Sequence, residues 1–513
     1  MSATTASQKI MKFIHEIPQQ QAERQPDAIC LYPEAAEPIR YGQLWQHIVD
    51  AADWMRSLGV SSGHKVMIVG ENCPEMIVML FACSTLGAWP ISVNARLSSR
   101  EIETIARHSD PTLTFFTARC SDAASAHAET YAAQACESRA FPAGNRAALQ
   151  NPTTPPEAAE LAQAVATLVY TSGTTGAPKG VMVTHKGLLH FAAVSAMSRR
   201  MQAHDIAYAA LPVSHIFGIA TVLMATFQAG ASLVLRAKFD VSDVLGSLAD
   251  PGISILQGVP TMFVRVLSAT TGQGPITAPA LRYVYTGGAA MDMALKAKVE
   301  ALFNLPLHHG YGITEYAGSM FITDIDHPRR DSATGHAVEG VELQIVLDGV
   351  PVTQPGDKGD ILIRGPGTML GYYRNPEQTA KALLPGGWLH TGDIGYVDAD
   401  GALFITGRSK DLIIRSGFNV YPQEVEAVIN AFPGIRLSAV VGKPQDDGNE
   451  EVIAFYEPDA GQSIDLPALA QYLVDHLAPY KRPARMIAIK QIPTTMSGKI
   501  QKNPLRAQLL KAP

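Results

Sequence analysis

The stretch YTSGTTGAPKG, residues 170–180, gathers three glycines, five hydroxyl side chains counting Tyr170, a proline and a lysine. Glycines let successive backbone N–H groups turn toward one anion, and hydroxyls with an ammonium add further donors. The inventory suits a polyphosphate. It is not a P-loop, because Ala177 and Pro178 separate Lys179 from Gly176, whereas a P-loop lysine directly follows the last glycine. An ordinary flexible hairpin would account for the Gly and Thr, but not for Pro followed by Lys.

Further polar signatures are LPVSHIFG (211–218), TGGAA (286–290), HHGYGITE (308–315) and HTGDIG (390–395). In GYGITE, Tyr311 offers a ring for stacking on a base, Thr314 a hydroxyl for a phosphate, and Glu315 a hard oxygen for Mg²⁺. Near the C-terminus, PTTMSGKIQK places Lys499 after Ser497 and Gly498. Taken alone, a Gly-Tyr-Gly is a turn, a lone Glu a solvated charge, and a loop lysine a surface group.

These groups need elements to carry them. Residues 164–170 are apolar and β-prone and 180–185 read as a second short strand, so the glycine-rich loop is expected between two strands. Apolar residues recur at helical spacing over 43–58 and 75–86, each run followed by a β-rich segment, KVMIVG and WPISVN. The alternation returns between 207 and 290, which predicts parallel sheets covered by helices, with ligands at the carboxyl ends of the strands. Residues 218–235 read as a buried helix and then a strand. After about residue 335, short β segments with turns predict a β-rich subdomain, and the last hundred or so residues predict a small α+β domain. Residues 123–160, rich in Ala, Pro and Thr, predict loop and irregular helix, and no repeat of fixed period is visible.

The class expected is therefore α/β: a large N-terminal domain of parallel α/β sheets plus a β-rich subdomain, residues 1–409, then a small α+β domain, residues 410–513. With 513 residues, 47% apolar and 17% charged, the chain can bury sizeable cores. A net charge of −6 without a Lys/Arg-rich block gives nucleic acid no electrostatic footprint. Five cysteines without a C-x-x-C pair argue against both a disulfide framework and a zinc site and fit a reducing, cytoplasmic setting. Neither a signal peptide nor a transmembrane segment is expected, and the sequence does not fix an oligomeric state.

The ordered set YTSGTTGAPKG, LPVSHIFG, GYGITE, GGWLHTGDIG, GRSKDLIIRSGFNVYPQEVE and PTTMSGKIQK spans nearly the whole chain. It resembles the adenylate-forming superfamily of acyl-CoA synthetases, carrier-protein-loading adenylation domains and luciferases. The resemblance implies two steps. A carboxylate attacks the α-phosphate of Mg·ATP to give acyl-adenylate and pyrophosphate, and the thiol of coenzyme A then takes the acyl group. Because the reactants are both anionic, the first step needs cations and aligned donors.

By resemblance, Thr171, Ser172, Gly173, Thr174, Thr175, Gly176 and Lys179 hold the β- and γ-phosphates, Thr314 the α-phosphate and Glu315 the magnesium. Lys499 bridges the attacking carboxylate and the α-phosphate. Asp393 and Arg408 bind the ribose, while Gly288, Ala289, Tyr311 and Gly312 frame the adenine. Lys410 is the hinge about which a mobile C-terminal domain rotates after adenylation, bringing Ser416, Gly417 and Phe418 to the coenzyme A. The acyl wall comes from His215, also a catalytic candidate, Phe217, Gly218, Gly258, Thr261, Tyr285, Gly287, Gly288, Met291 and Ile313.

LPVSHIFG lacks the Asp with which amino-acid-activating relatives pair an ammonium, so an amino acid is disfavoured. A dicarboxylate would want a buried arginine; Arg265 is the nearest candidate, and solvent exposure is the favoured reading for it. Ile414 stands where coumarate-type ligases carry lysine, and the surrounding segment is most similar to fatty-acyl-CoA synthetases. The expected activity is a coenzyme A ligase for a medium-chain fatty or aryl acid. A carrier-protein-loading ligase, a malonyl- or coumarate-type ligase and a nucleotide-binding protein without turnover are the alternatives.

Overall fold

The computed structural model describes residues 10–34, 36–171, 178–415, 418–445, 449–459, 461–495 and 499–511. The chain forms two compact units. The first comprises residues 1–257, 312–319 and 365–383, and the second 258–311, 320–364 and 384–513.

In the first unit, strands Lys65–Gly70, Trp89–Asn94 and Leu113–Phe116 run parallel, and Arg146–Leu149 and Gln134–Ala135 extend the sheet antiparallel. Every residue of the first two strands is buried, which is why they read as unbroken apolar runs rather than alternating ones. The intervening helix Pro74–Leu86 starts with a proline in its first turn and stops at Gly87, whose φ of 66° is left-handed. A further parallel set joins Ile29–Tyr32, Ser232–Leu235, Ile206–Ala209 and Ile255–Gly258. The hairpin predicted around the glycine-rich loop forms from Val165–Thr171 and Lys179–Thr184, with Thr171 opposite Lys179.

Two expectations need correction. Residues 123–160 are not irregular throughout: helix Asp122–Thr130 is capped by Ser121, and Arg146–Leu149 is a ladder strand. Pairing with Leu113–Phe116 supplies what the alanine-rich composition lacks. The helix expected from residue 218 is a π-helix over Phe217–Met224, continued by α-helix Ala225–Gln228. At its first turn a Cβ on Gly218 would lie 2.1 Å from the Pro212 carbonyl oxygen, so only glycine permits this entry.

In the second unit, Tyr283–Gly287 and Leu307–Ile313 pair in parallel, with Gly287 opposite Gly310. The β-rich subdomain is an antiparallel sheet in which Glu342–Leu347, Gly359–Arg364, Trp388–Val397 and Leu403–Arg408 are successive neighbours. Residues 410–513 carry their own sheet, Ile435–Pro444, Glu450–Pro458 and Arg485–Ala488. Strand alternation gives it two apolar clusters: Val440 and Val452 with Val425, Ile429 and Leu469, and Val441, Ile453 and Phe455 with Ile492, Leu505 and Leu509. Among the described residues, no helix is long and apolar enough to cross a membrane.

Candidate active site

The first unit assembles one polar cluster around Tyr372. Its hydroxyl donates to Glu315 Oε1 at 2.8 Å, and the ammonium of Lys179 sits 4.9 Å from its ring centroid. Lys179 Nζ also donates to Gln378 Oε1 at 2.7 Å. Backbone pairing fixes the tyrosine: Val181 bridges to Tyr372, and the N–H of Tyr373 donates to the Gly180 carbonyl at 2.8 Å. Glu315 lies in the 3₁₀ turn Thr314–Tyr316, held by the Met369 N–H donating to its carbonyl at 2.9 Å. Burial, and secondarily the Glu315 carboxylate, push the Tyr372 hydroxyl well above its ordinary pKa, so it acts as a fixed neutral donor. Among the described residues neither Lys179 nor Glu315 has an ion-pair partner, so the cluster presents an ammonium and a carboxylate with their charges uncancelled by each other. A hard carboxylate oxygen held by a neutral hydroxyl suits a Mg²⁺ ion travelling with a polyphosphate.

Thr171 and Lys179 thus flank the loop as the sequence predicts, whereas Ser172, Gly173, Thr174, Thr175 and Gly176 lie outside the described residues. Gly312 is required by close chain approach: a Cβ there would lie 2.3 Å from the Gly318 carbonyl oxygen. Thr314 is buried just before Glu315.

The second unit assembles another cluster around Asp393, which is only 5% exposed. Tyr311 donates its hydroxyl to Asp393 Oδ2 at 2.6 Å, and Arg408 Nε donates to Oδ1 at 3.1 Å. Asp393 and Arg408 face one another across paired strands, which places opposite charges at adjacent positions. Its own N–H donates to Thr391 Oγ1 at 3.1 Å. Sequence reasoning assigned Tyr311 a ring for stacking; its hydroxyl also anchors the ring to the aspartate, a contact spanning 82 residues of chain. Burial, then the Asp393 charge, hold the Tyr311 hydroxyl in its neutral form.

The TGGAA turn follows strand Tyr283–Gly287, with Gly288 at φ 81° and Ala289 exposed. His309 Nε2 lies 3.1 Å from the Ala289 carbonyl, which can only accept, so this nitrogen carries the proton. Burial lowers the His309 pKa to about 4, which keeps the ring neutral. Tyr372 and Gln378 lie outside every motif quoted above, and His309, though within HHGYGITE, was given no role there; sequence reasoning missed all three.

The candidate acyl residues divide between the units. His215, Phe217, Gly218 and Ile313 belong to the first; Gly258, Thr261, Tyr285, Gly287, Gly288 and Met291 to the second. His215 Nδ1 accepts the Phe217 N–H at 3.2 Å, so the neutral ring carries its proton on Nε2. Asn72 clamps the approach to His215: its amide donates to the Ala209 and Leu211 carbonyls and its Oδ1 accepts the Val213 N–H. Gly258, Tyr285, Gly287 and Met291 are buried, and Arg265 is exposed, as the sequence reading favoured.

In the C-terminal part, Lys499 pairs with Thr495. Its N–H donates to Thr495 Oγ1 at 3.0 Å, and the Thr495 N–H donates to the Lys499 carbonyl at 2.7 Å. Ser497 and Gly498 lie outside the described residues, as do Ser416 and Gly417. Phe418 is 55% exposed and stacks on Tyr480 at 4.7 Å. Lys410 occupies the single 3₁₀ turn Ser409–Asp411.

Comparison with known proteins identifies the family. The family described as AMP-binding enzyme matches residues 18–373, and the AMP-binding enzyme C-terminal domain matches residues 424–499. A feruloyl-CoA synthase of an Amycolatopsis species is 32% identical over 470 residues, covering 91% of this chain and 93% of the relative. An indoleacetate–CoA ligase of Aromatoleum aromaticum is 30% identical over 492 residues, 93% of this chain and 94% of the relative. Among solved structures, ATP-bound MatB from Rhodopseudomonas palustris superposes with a TM-score of 0.84 at 27% identity, covering 97% of this chain and 99% of that one. An o-succinylbenzoate CoA synthetase from Bacillus subtilis, in complex with its acyl-adenylate intermediate, gives 0.80 at 26% identity over 97% and 98% of the two chains. The chain belongs to the AMP-binding enzyme family and is an AMP-forming acid–thiol ligase, which uses Mg·ATP to join a carboxylic acid to coenzyme A through an acyl-adenylate.

Proposed function

We propose that the acid is an aryl or arylalkanoic carboxylic acid whose body beyond the carboxylate is uncharged. The observation that carries this reading is the candidate acyl set itself: His215, Phe217, Gly218, Gly258, Tyr285, Gly287 and Ile313 include no Asp, Glu, Lys or Arg, and Arg265 is exposed. An uncharged wall favours an uncharged acyl body. The curated relatives named above act on feruloyl and indoleacetate groups, which supports an aromatic one. The enzyme is taken to work in the cytoplasm, in keeping with its five free cysteines.

In this proposal Thr171, Lys179 and the loop between them receive the β- and γ-phosphates, Thr314 the α-phosphate, and Glu315, steadied by Tyr372, the magnesium of Mg·ATP. Asp393 and Arg408 take the ribose hydroxyls, and the turn at Gly288 and Ala289, steadied by His309, borders the adenine. Lys499 neutralises charge between carboxylate and α-phosphate during adenylation. The segment 410–513 then turns about Lys410 and presents Phe418 and its neighbours to coenzyme A, a division that calls for a short hinge.

The test is pyrophosphate release from purified protein with Mg·ATP across benzoate, cinnamates, indoleacetate, short to long fatty acids and malonate, each with and without coenzyme A. Release highest with an aryl acid and dependent on coenzyme A is expected. A preference for malonate or for a medium-chain fatty acid contradicts the aryl reading; release without coenzyme A stimulation, restored by a phosphopantetheinylated carrier protein, reassigns the acceptor.

A further inference from the structure

Cys73, Glu75 and Cys120 lie outside every role described above, yet two thiols and a carboxylate converge there, with one ligand atom of each within 4.8 Å of the others. The topology explains the meeting. Strands Lys65–Gly70 and Leu113–Phe116 are parallel neighbours with Val69 opposite Phe116, so their carboxyl ends lie side by side and the loops that leave them carry Cys73 and Cys120. Cys73 is the N-cap of helix Pro74–Leu86 and Glu75 sits in its first turn.

Cys73 and Glu75 are 5% and 2% exposed. Glu75 is divided between two partners. Arg119 donates to Oε1 through Nε at 2.9 Å and Nη2 at 2.6 Å, and Cys120 Sγ donates its S–H to Oε2 at 3.3 Å. Oε1 is therefore held from behind by a guanidinium while Oε2 faces the sulfurs, the arrangement in which a ligating carboxylate is oriented by an outer hydrogen bond.

We propose that Cys73, Glu75 and Cys120 form a binding site for a thiophilic divalent cation of the zinc class. Two thiolates and a carboxylate, completed by a water, are a tetrahedral donor set that favours such an ion over magnesium. Charge supports it: three anionic ligands, one divalent cation and the Arg119 guanidinium come to zero net charge, which a buried site requires. Binding releases the two S–H protons to solvent and sets the sulfurs roughly 3.8 Å apart, as metal–sulfur bonds of about 2.3 Å in a tetrahedron require. The cation fastens two adjacent loops, one of which carries Asn72, the residue that clamps the segment leading to His215. It is a structural clamp, distinct from the magnesium that accompanies ATP.

The test uses the full chain stripped with chelator and titrated with Co²⁺ under reducing conditions. One Co²⁺ per chain with thiolate-to-cobalt charge-transfer absorption, displaced by Zn²⁺ and accompanied by release of two protons, is expected. Cys120→Ser should abolish the absorption, and Arg119→Ala should weaken Co²⁺ binding about 10–100-fold. Independently of any variant, Zn²⁺ should protect Cys73 and Cys120 from alkylation under denaturant-free conditions without changing Cys30, Cys83 or Cys136. No charge-transfer absorption, absorption that survives Cys120→Ser, or unprotected thiols would overturn the site.

Discussion

The Tyr372 and Asp393 clusters are both built on a tyrosine hydroxyl donating to a carboxylate, at 2.8 Å and 2.6 Å, yet they leave that carboxylate in opposite electrical states. Asp393 is compensated by Arg408 across its ladder, and both its oxygens already accept. Among the described residues the Glu315 carboxylate accepts from a neutral hydroxyl and has no ion-pair partner, and the nearby Lys179 leans on a neutral amide and a ring. A compensated carboxylate suits uncharged hydroxyls, as on a ribose, because its hydrogen bonds are directional and its net field is small. An uncompensated carboxylate beside an uncompensated ammonium suits a metal ion and a phosphate. On the proposed assignment, the same local chemistry serves different ligand parts according to whether an arginine stands opposite.

The largest expected effect concerns a residue in neither cluster. Lys499→Ala should slow acyl-adenylate formation about 10²–10³-fold, the loss typical of one charge-stabilising group, while thioester formation from supplied acyl-adenylate stays near wild type. Equal losses in both half-reactions would contradict the assignment. Lys410→Pro reverses the pattern, harming thioester formation more than adenylation by stiffening the turn.

Within the comparison, Tyr372→Phe removes only the hydroxyl and keeps the ring beneath Lys179. Loss of a hydrogen bond to a charged group costs about 1.5–3 kcal/mol, so adenylation at limiting Mg²⁺ should fall roughly tenfold or more and recover in excess Mg²⁺. Glu315→Gln is the control: if it leaves the Mg²⁺ dependence unchanged, the metal role of Glu315 fails, whereas a shift in Glu315→Gln without one in Tyr372→Phe rejects only the tyrosine's part.

A smaller effect tests the packing around the acyl segment. Gly218→Ala forces a methyl against the Pro212 carbonyl oxygen, so a destabilisation of about 1–3 kcal/mol in chemical denaturation is expected. An unchanged midpoint would show that the π-helical entry yields freely.

A last prediction concerns pH. Burial lowers His185 to about 3 and His309 to about 4, His15 further lowering the first while Glu16 opposes it. Unfolding lets each ring take a proton below its ordinary value near 6.5, so the unfolded chain binds more protons between that pH and the folded values. Stability is full above about pH 6.5 and is lost progressively toward pH 4 and 3. The melting temperature should fall over this window, less steeply in His185→Asn than in wild type; parallel slopes would contradict the contribution of His185.

Much of this was legible in the sequence because the loops that carry chemistry interrupt strongly periodic elements. The Thr171–Lys179 hairpin, the helix after Cys73 and the C-terminal α+β segment fall where apolar spacing and turn residues put them. Thr314, Glu315, Asp393 and Lys499 were singled out as candidates from ordered motifs. What stayed hidden was long-range pairing between residues of ordinary type. Tyr372 meets Glu315 across 57 residues, and nothing in GYYRNPE distinguishes it from the adjacent Tyr373, which donates instead to Glu157 at 2.7 Å. Tyr372 sits at an isolated bridge with Val181 while Tyr373 begins a turn, so the two rings meet different partners, which residue type does not foretell. The π-helix at Phe217 was hidden for a similar reason, since its entry is set by the Pro212 carbonyl rather than by propensity.

The most direct test of the contrast is equilibrium binding of Mg·ATP and of its 2′,3′-dideoxy analogue to wild type, Asp393→Asn and Glu315→Gln. Wild type should prefer ATP by about 10–100-fold, the worth of hydrogen bonds to a charged group; that preference should collapse in Asp393→Asn and survive in Glu315→Gln, which should instead lose the Mg²⁺ dependence. A preference for ATP that persists in Asp393→Asn, or that vanishes in Glu315→Gln, would contradict the roles proposed for Asp393 and Glu315.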